Sequence, residues 1–224
     1  MEYTMKLSQD TMAILKNFST INHSIQLKAG NVIKTKGPAG DVFGSAEIAE
    51  TFPVDFAIYE LSRFLNAMSL FNDPELDFAE ENAVNITDGK NSIRYVFADS
   101  ELITGANYDK EIKLPPIVAT FDLKQDQIAK LQKAAAVLGS PTVTISAKNG
   151  TLVVSAHDKK NDSSDKFNLT IGITDAENFK IDLKLETLRL INGDYTVDVT
   201  EAIVCRFTHA TTKLVYFLAG EVTR

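Results

Sequence analysis

Cysteine, histidine and long apolar runs are nearly absent from this chain, and each shortage removes a class of function. Cys205 is the only cysteine, so no intrachain disulfide can form and a reducing, cytoplasmic compartment is expected. The three histidines, His23, His157 and His209, are scattered, and none has metal-ligand spacing to another or to Cys205. No run of about 18 apolar residues occurs, so no membrane-spanning helix is expected. The opening Met1-Glu2-Tyr3-Thr4-Met5-Lys6 is charged and lacks the apolar core of a signal peptide. No glycine-rich turn leads into Gly-Lys-Ser/Thr, so a nucleotide-binding P-loop is missing, and Asp88-Gly89-Lys90 reads as a hairpin turn. Acids such as Asp73, Asp77, Glu80 and Glu81 fall at turns, where solvation accounts for them. His157-Asp158 ends a strand before a polar loop and reads as a solvated loop histidine; Cys205, inside an apolar strand, reads as a small buried or half-buried thiol. No catalytic residue, metal or cofactor is expected, and the chain is expected to bind rather than to catalyse.

What is present is the material of a folded protein built twice. The chain has 224 residues, 44% hydrophobic and 24% charged, enough for two cores of about 100 residues each. Leu7, Gln9, Asp10, Ala13 and Leu15 recur in order as Leu123, Gln125, Asp126, Ala129 and Leu131, with Met12 opposite Ile128. Both segments read as a short strand, a polar first turn and a helix. Asp10 and Asp126 stand near the helix starts, where the dipole favours a carboxylate.

Alternating apolar residues follow each helix. The first half offers strands at Ser24–Leu27, Val32–Thr35, Val42–Ile48 and Val54–Tyr59, and the second at Thr142–Ala147, Thr151–Ala156, Lys166–Ile173 and Phe179–Leu185. A second helix is expected at Leu61–Phe71 and a shorter one at Glu186–Ile191, each followed by three more strands. The order is β-α-β-β-β twice in each half, unlike the βαβ alternation of nucleotide-binding enzymes. Residues Asp99–Ile117, with Gly105, Asn107 and Pro115-Pro116, form an irregular stretch between the halves. The expected boundaries are 1–104 for the N-terminal domain, 105–117 for the connector and 118–224 for the C-terminal domain.

The net charge of −7 has the wrong sign for a compact nucleic-acid binder, although it permits a small basic surface. The helices carry such a surface. Ile14, Leu15, Phe18 and Ile21 form the apolar stripe of the first, leaving Ala13, Lys16, Asn17 and Thr20 outside. Ile128, Leu131 and Leu138 are expected to turn inward on its counterpart, leaving Ala129, Gln132, Lys133 and Ala136 outside. Leu61, Phe64, Leu65 and Met68 leave Arg63, Asn66 and Ala67 outside. One acid-free face is ordinary, but three in an acidic chain are a pattern.

The segment Met5-Lys6-Leu7-Ser8-Gln9-Asp10-Thr11-Met12-Ala13-Ile14-Leu15 and its continuation to Asn22 resemble the start of the sliding clamp of T-even-type bacteriophages. The similarity continues through Val54-Asp55-Phe56-Ala57-Ile58-Tyr59-Glu60-Leu61 and Arg63–Phe71 to Asn72-Asp73. Tyr216-Phe217-Leu218-Ala219-Gly220 is similar to the ending of eukaryotic and archaeal clamps. The resemblance is close over the first half, looser over the second, and spans nearly the whole chain.

This resemblance implies an α+β DNA-clamp fold of two similar domains, each made of two β-α-β-β-β units, with antiparallel sheets outside and helices lining a ring hole. It implies a homotrimer with twelve helices toward double-stranded DNA, held without sequence specificity. The DNA-facing residues by position are Lys16, Asn17, Thr20, Arg63, Asn66, Lys130, Lys133 and Arg189, and Leu190 stands where a polar lining residue is expected. The implied partners are the C-terminal peptide of a replicative DNA polymerase and a separate clamp loader ATPase. The peptide pocket by position is Ile33, Thr35, Leu114, Pro115, Tyr216 and Leu218. Processivity for the polymerase, support of late viral transcription and residence in the cytoplasm of an infected bacterial host follow from the same likeness. Two other classes compete. A β-rich phage structural or assembly protein would also duplicate units and lack catalytic groups, but would not need acid-free helix faces. A hydrolase with a dispersed site would need a nucleophile beside a base, which the sequence does not offer.

Overall fold

A computed structural model describes residues 3–109, 112–161 and 163–221, and the chain divides into two compact units, Met1–Glu111 and Ile112–Arg224. In chain order unit 1 contains β1 (Thr4–Met5), α1 (Gln9–Ile21), β2 (Ile25–Leu27), β3 (Gly30–Lys36), β4 (Val42–Phe52), β5 (Phe56–Ile58), α2 (Leu61–Met68), β6 (Glu75–Asp77), β7 (Ala83–Thr87) and β8 (Ser92–Val96). Unit 2 contains β9 (Ile117–Leu123), α3 (Gln125–Leu138), β10 (Thr142–Lys148), β11 (Thr151–His157), β12 (Phe167–Ile173), β13 (Phe179–Lys184), β14 (Tyr195–Thr200), β15 (Val204–His209) and β16 (Leu214–Ala219). The order β1-β6-β7-β8 in unit 1 recurs as β9-β14-β15-β16 in unit 2, antiparallel throughout, so the internal repeat extends to topology.

In unit 1, α1 lies on β4 through Leu15 and Phe18, both fully buried. Gly44 makes the close approach possible: a Cβ there would stand 3.0 Å from Phe18 Cε1 and 3.1 Å from Thr35 Cγ2. Phe56 and Phe78 anchor an aromatic cluster with Phe52 and Phe97, their centroids 5.0–6.4 Å apart. The stretch after β8 is also tied to this unit. Tyr108 donates its hydroxyl to Gln26 O at 2.9 Å and accepts from Lys34 N at 3.0 Å. Asn22 Nδ2 donates to Thr104 O at 3.0 Å. Burial pushes the Tyr108 hydroxyl up to about 12.

Two helices receive a carboxylate at their N-terminus from a distant part of the chain. Ser8 caps α1 through Thr11 N at 3.2 Å. Glu50 then accepts from Ser8 N and, at 2.6 Å, from Thr11 Oγ1. At α3, Asp194 Oδ1 accepts from Gln125 N at 2.9 Å. These anions satisfy donors at the helix starts and sit favourably in the dipole field.

The fourth expected helix is absent. Position in the repeat predicts a helix over Glu186–Ile191, but only a single 3-10 turn, Leu185–Thr187, forms. Carbonyls of this stretch are taken by side chains instead of by helical amides. Gln132 Nε2 donates to Leu188 O at 2.9 Å, and Tyr195 Oη donates to Ile191 O at 2.7 Å. A six-residue helix also has too few turns to offset its nucleation cost. The loop that replaces it is pinned by His209, whose Nδ1 accepts from Thr211 N and Thr212 N at 3.3 and 3.2 Å while Nε2 lies 3.3 Å from Asn192 O. Gly193 is required beneath that ring, since a Cβ would fall 2.0 Å from His209 Nε2. Two smaller departures accompany this. The helix expected to reach Phe71 ends at Met68. Leu138 is 37% exposed, and Ala135 takes the inward position on α3.

Burial tends to raise the Glu50 carboxyl, but the Thr11 and Ser8 hydrogen bonds outweigh it and hold the group below the ordinary carboxylate value. The unfolded chain therefore binds this proton more readily, and the stabilisation is present near neutrality and lost as pH falls through the folded value. Glu50→Gln is expected to cost about 0.5–1 kcal/mol at neutral pH, a figure already discounted for solvent screening. Urea unfolding should show that difference closing as pH falls through and below that lowered folded value; a difference that persists unchanged in acid would remove the carboxylate from this role.

Candidate nucleic-acid interface

Each helix is amphipathic in the strict sense that one face is buried in its own unit. On α1 the buried residues are Thr11, Ile14, Leu15 and Phe18, which leaves Lys16 exposed and Asn17 half-buried, with Ala13 and Thr20 outside the buried stripe. The face is ordered by its own hydroxyls: Ser19 Oγ donates to Lys16 O and Thr20 Oγ1 to Asn17 O, both at 2.7 Å. On α2, Leu61, Phe64, Leu65 and Met68 are buried, and Ser62, Arg63 and Asn66 are exposed. The two helices pack against each other within unit 1. On α3, Ile128, Leu131 and Ala135 are buried, and Ala129, Lys130 and Ala136 are exposed, with Lys133 outside the buried stripe. Arg189 is exposed on the loop that replaces the fourth helix. Its neighbour Leu188 is bonded to Gln132 of α3, which sets Arg189 beside that helix. Leu190 is half-buried and lines a small hollow against α3 with Gln132. Gln132, outward by periodicity, is thus half-buried and engaged.

The electrostatics of these faces are one-sided. The only acid on α1 is Asp10 in its first turn, α2 has none, and the only acid on α3 is Asp126 in its first turn. Several cations elsewhere are paired: Lys28 with Asp55 at 2.7 Å, Arg94 with Glu80 at 2.6 Å, Lys124 with Asp194 at 3.2 Å and Arg206 with Asp198 at 2.6 Å. Among the described residues, Lys16, Arg63, Lys130 and Lys133 have no carboxylate within 4.0 Å. Four such cations on acid-free faces make a surface suited to phosphate contacts.

The residues expected to form a partner pocket are placed differently. Ile33 and Thr35 point inward from β3, and Tyr216 and Leu218 point inward from β16; all four are at most 3% exposed. Leu114 and Pro115 are half-buried. Strand parity explains the outcome, because Phe217 and Ala219 occupy the outward positions of β16. The four buried side chains support a surface and do not line one.

A family model described as DNA polymerase processivity factor matches residues 7–105, and one described as gp45 sliding clamp, C terminal, matches residues 120–222. The chain belongs to the phage sliding-clamp family. The sliding clamp of Vibrio phage KVP40 is 33% identical over 97% of this chain and 99% of its own length. That of Enterobacteria phage T4 is 34% identical over 85% of each. In fold the clamp resembles proliferating cellular nuclear antigen of Entamoeba histolytica, with a TM-score of 0.72 at 13% identity over 99% of both chains. It also resembles A. fulgidus PCNA solved with the C-terminal region of FEN-1, with a TM-score of 0.71 at 13% identity over 99% and 98%. The function is accordingly that of a phage DNA polymerase processivity factor. Membership sets aside the alternative of a structural or assembly component.

Among the described residues of the clamp, no group of three or more His, Cys, Asp or Glu side chains could hold a metal ion, and no helix is long and apolar enough to cross a membrane. His157, expected as a solvated loop histidine, is half-buried at the end of β11 with Nε2 2.8 Å from Thr144 Oγ1. Burial first, and then the Lys166 charge, lowers its pKa against the opposite pull of Asp182. Cys205 is fully buried, and burial pushes its thiol up to about 12. Native clamp is therefore expected to resist alkylation by iodoacetamide at about pH 8 and to react fully in denaturant. Rapid alkylation of the native chain would contradict the buried assignment.

Proposed function

We propose that three copies of this clamp close head-to-tail into a homotrimeric ring that encircles duplex DNA and tethers the replicative polymerase. The observation that carries this reading is the set of acid-free helix faces bearing Lys16, Arg63, Lys130 and Lys133 in a chain of net charge −7. Asn17, Thr20, Asn66 and Arg189 complete the proposed lining. With three α-helices among the described residues of each chain, three copies present nine helices to the hole, not twelve. Few phosphate contacts per copy mean weak, salt-sensitive binding to DNA. Such binding permits sliding, and retention comes from the closed ring. The acidic exterior repels DNA and favours its passage through the hole.

Ring closure uses a heterologous contact between unlike surfaces. Two sheet edges supply it. β8 ends its sheet, with Val96 56% exposed, beside a hollow of about 600 Å³ lined by Tyr59, Ala67, Ile93 and Tyr95. β12 ends its own sheet, with Ile173 92% exposed, and Val137 of the adjoining α3 is 77% exposed. An open edge flanked by bare apolar residues is a template for pairing with another chain. We assign β8 of one copy to β12 of the next.

The polymerase is held by its C-terminal peptide, a reading supported by the archaeal clamp bound to the C-terminal region of FEN-1. Here the outward Phe217 and Ala219 replace Tyr216 and Leu218 as the proposed contacts, with Leu114 and Pro115 from the connector. Loading by a separate ATPase, absence of catalysis by the clamp itself, residence in the host cytoplasm and support of late viral transcription are proposed from family membership.

After loading, the clamp should stay on closed circular DNA and run off linear DNA; equal retention on both defeats encirclement. Lys16→Glu with Lys133→Glu should lower DNA-dependent polymerase stimulation about tenfold or more while leaving self-association intact. The salt dependence of DNA binding should flatten by about one unit for each phosphate no longer neutralised. Unchanged stimulation would remove these residues from the lining. Ile173→Asp places a charge in the proposed seam and is expected to cost about 2 kcal/mol per interface, or about thirtyfold in association, read by sedimentation. Wild-type association of that variant would show that β12 is not the pairing edge.

A further inference from the structure

One hollow of the clamp has no part in encirclement or in ring closure. The start of β10 and the ends of β11 and β13 surround about 550 Å³ at one end of unit 2. Register brings these ends together, since Thr142 stands opposite both His157 and Lys184. The hollow has an apolar side, Pro141 and Leu185, and three ammonium groups, Lys159, Lys160 and Lys184.

The charges there are unequally satisfied. Asp158 spends an oxygen on a backbone amide, Lys160 N at 2.9 Å. Lys184 reaches Glu186 at 3.8 Å, with both side chains well exposed. Among the described residues Lys160 has no carboxylate within 4.0 Å. Lys159 is closely paired, to Glu221 at 2.6 Å, with the two side chains 19% and 31% exposed.

Glu221 shows how such a carboxylate arrives. It comes on an extended stretch of chain lying along β13, where Glu221 N donates to Asp182 O at 2.7 Å and Gly220 N donates to Ile203 O at 2.7 Å. The molecule thus already displays one backbone hydrogen bond to β13 and one acid on a pocket lysine. Lys160 and Lys184 lie in the same hollow. The volume exceeds what a bare anion needs and lies within the usual range for ligand pockets. Its apolar wall and the lysine stems suit an aliphatic side chain set between acids.

We propose that this pocket binds an extended acidic segment of a partner protein, its carboxylates on Lys160 and Lys184 and an aliphatic side chain against Pro141 and Leu185. Glu221 is the resident competitor, occupying Lys159 when no partner is present. The proposal requires only the surface of unit 2, so it holds or fails independently of DNA encirclement and of the Phe217 contact.

The test is fluorescence anisotropy on the full clamp with a labelled peptide Glu-Leu-Glu-Glu-Leu-Glu, blocked at both ends. The peptide should bind, its all-Gln counterpart should bind about tenfold more weakly or worse, and Lys160→Glu with Lys184→Glu should lose about tenfold or more, the effect of reversing two exposed ion pairs. Glu221→Gln should tighten binding about threefold by releasing Lys159. Lys160→Gln with Lys184→Gln, which only removes charge, guards against misfolding of the reversed variant and should weaken binding in the same direction. Equal affinity for the Gln peptide, or unchanged affinity in both double variants, overturns the proposal. So does displacement of the peptide by inorganic phosphate at equal concentration, which would mean an anion site, or by a short DNA duplex at equal concentration, which would mean a nucleic-acid site.

Discussion

Each helix of this clamp is held by one face only, and that constraint decides what the other face can be. Leu15 and Phe18 on α1, Phe64 and Leu65 on α2, and Ile128 and Leu131 on α3 meet their own unit. The far sides carry exposed Lys16, Arg63 and Lys130. The carboxylates that helices favour at their N-termini are supplied largely from elsewhere, by Glu50 for α1 and Asp194 for α3. Helix stability therefore does not require acids along the exposed face, and that face is left to Lys, Arg, Asn and Ala. An acidic chain can carry a phosphate-binding surface because the two charges are segregated by structure.

The same one-sidedness applies to the sheets. β8 and β12 each end a sheet with large apolar side chains bare to solvent. A monomer usually blunts such edges with charge, proline or a bulge. β12 carries a register shift at Ile171, yet among the described residues both edges stay unpaired with apolar residues exposed, which suits the proposed pairing of one copy with another. Few cations per chain suffice if several chains share one DNA.

Much of this is legible in the sequence, where the physics is local. The recurrence of Leu7 to Leu15 as Leu123 to Leu131 marks the duplication, and alternation in Phe167–Ile173 and Thr142–Ala147 places strands that are present. Helical period finds the buried stripes and hence the basic faces. Non-local contacts are not legible. Glu186–Ile191 has the composition of a helix, but Gln132 and Tyr195, outside that segment, take carbonyls along it. The family resemblance places Tyr216 and Leu218 in a partner pocket, and packing of β16 in its sheet buries both. Glu50 at α1, Thr144 on His157 and the meeting of Lys160 with Lys184 arise only when strands pair. No sequence signal near those residues could have revealed them.

Cys205 sits within β15 with no exposed surface, and no other thiol exists in the chain. That makes the native clamp chemically silent toward thiol-directed reagents. A single cysteine introduced at an exposed position would be the one site available for a fluorophore, spin label or crosslinker, with no need to remove the natural residue. The proposed self-association and DNA contact could then be followed on molecules whose core is untouched.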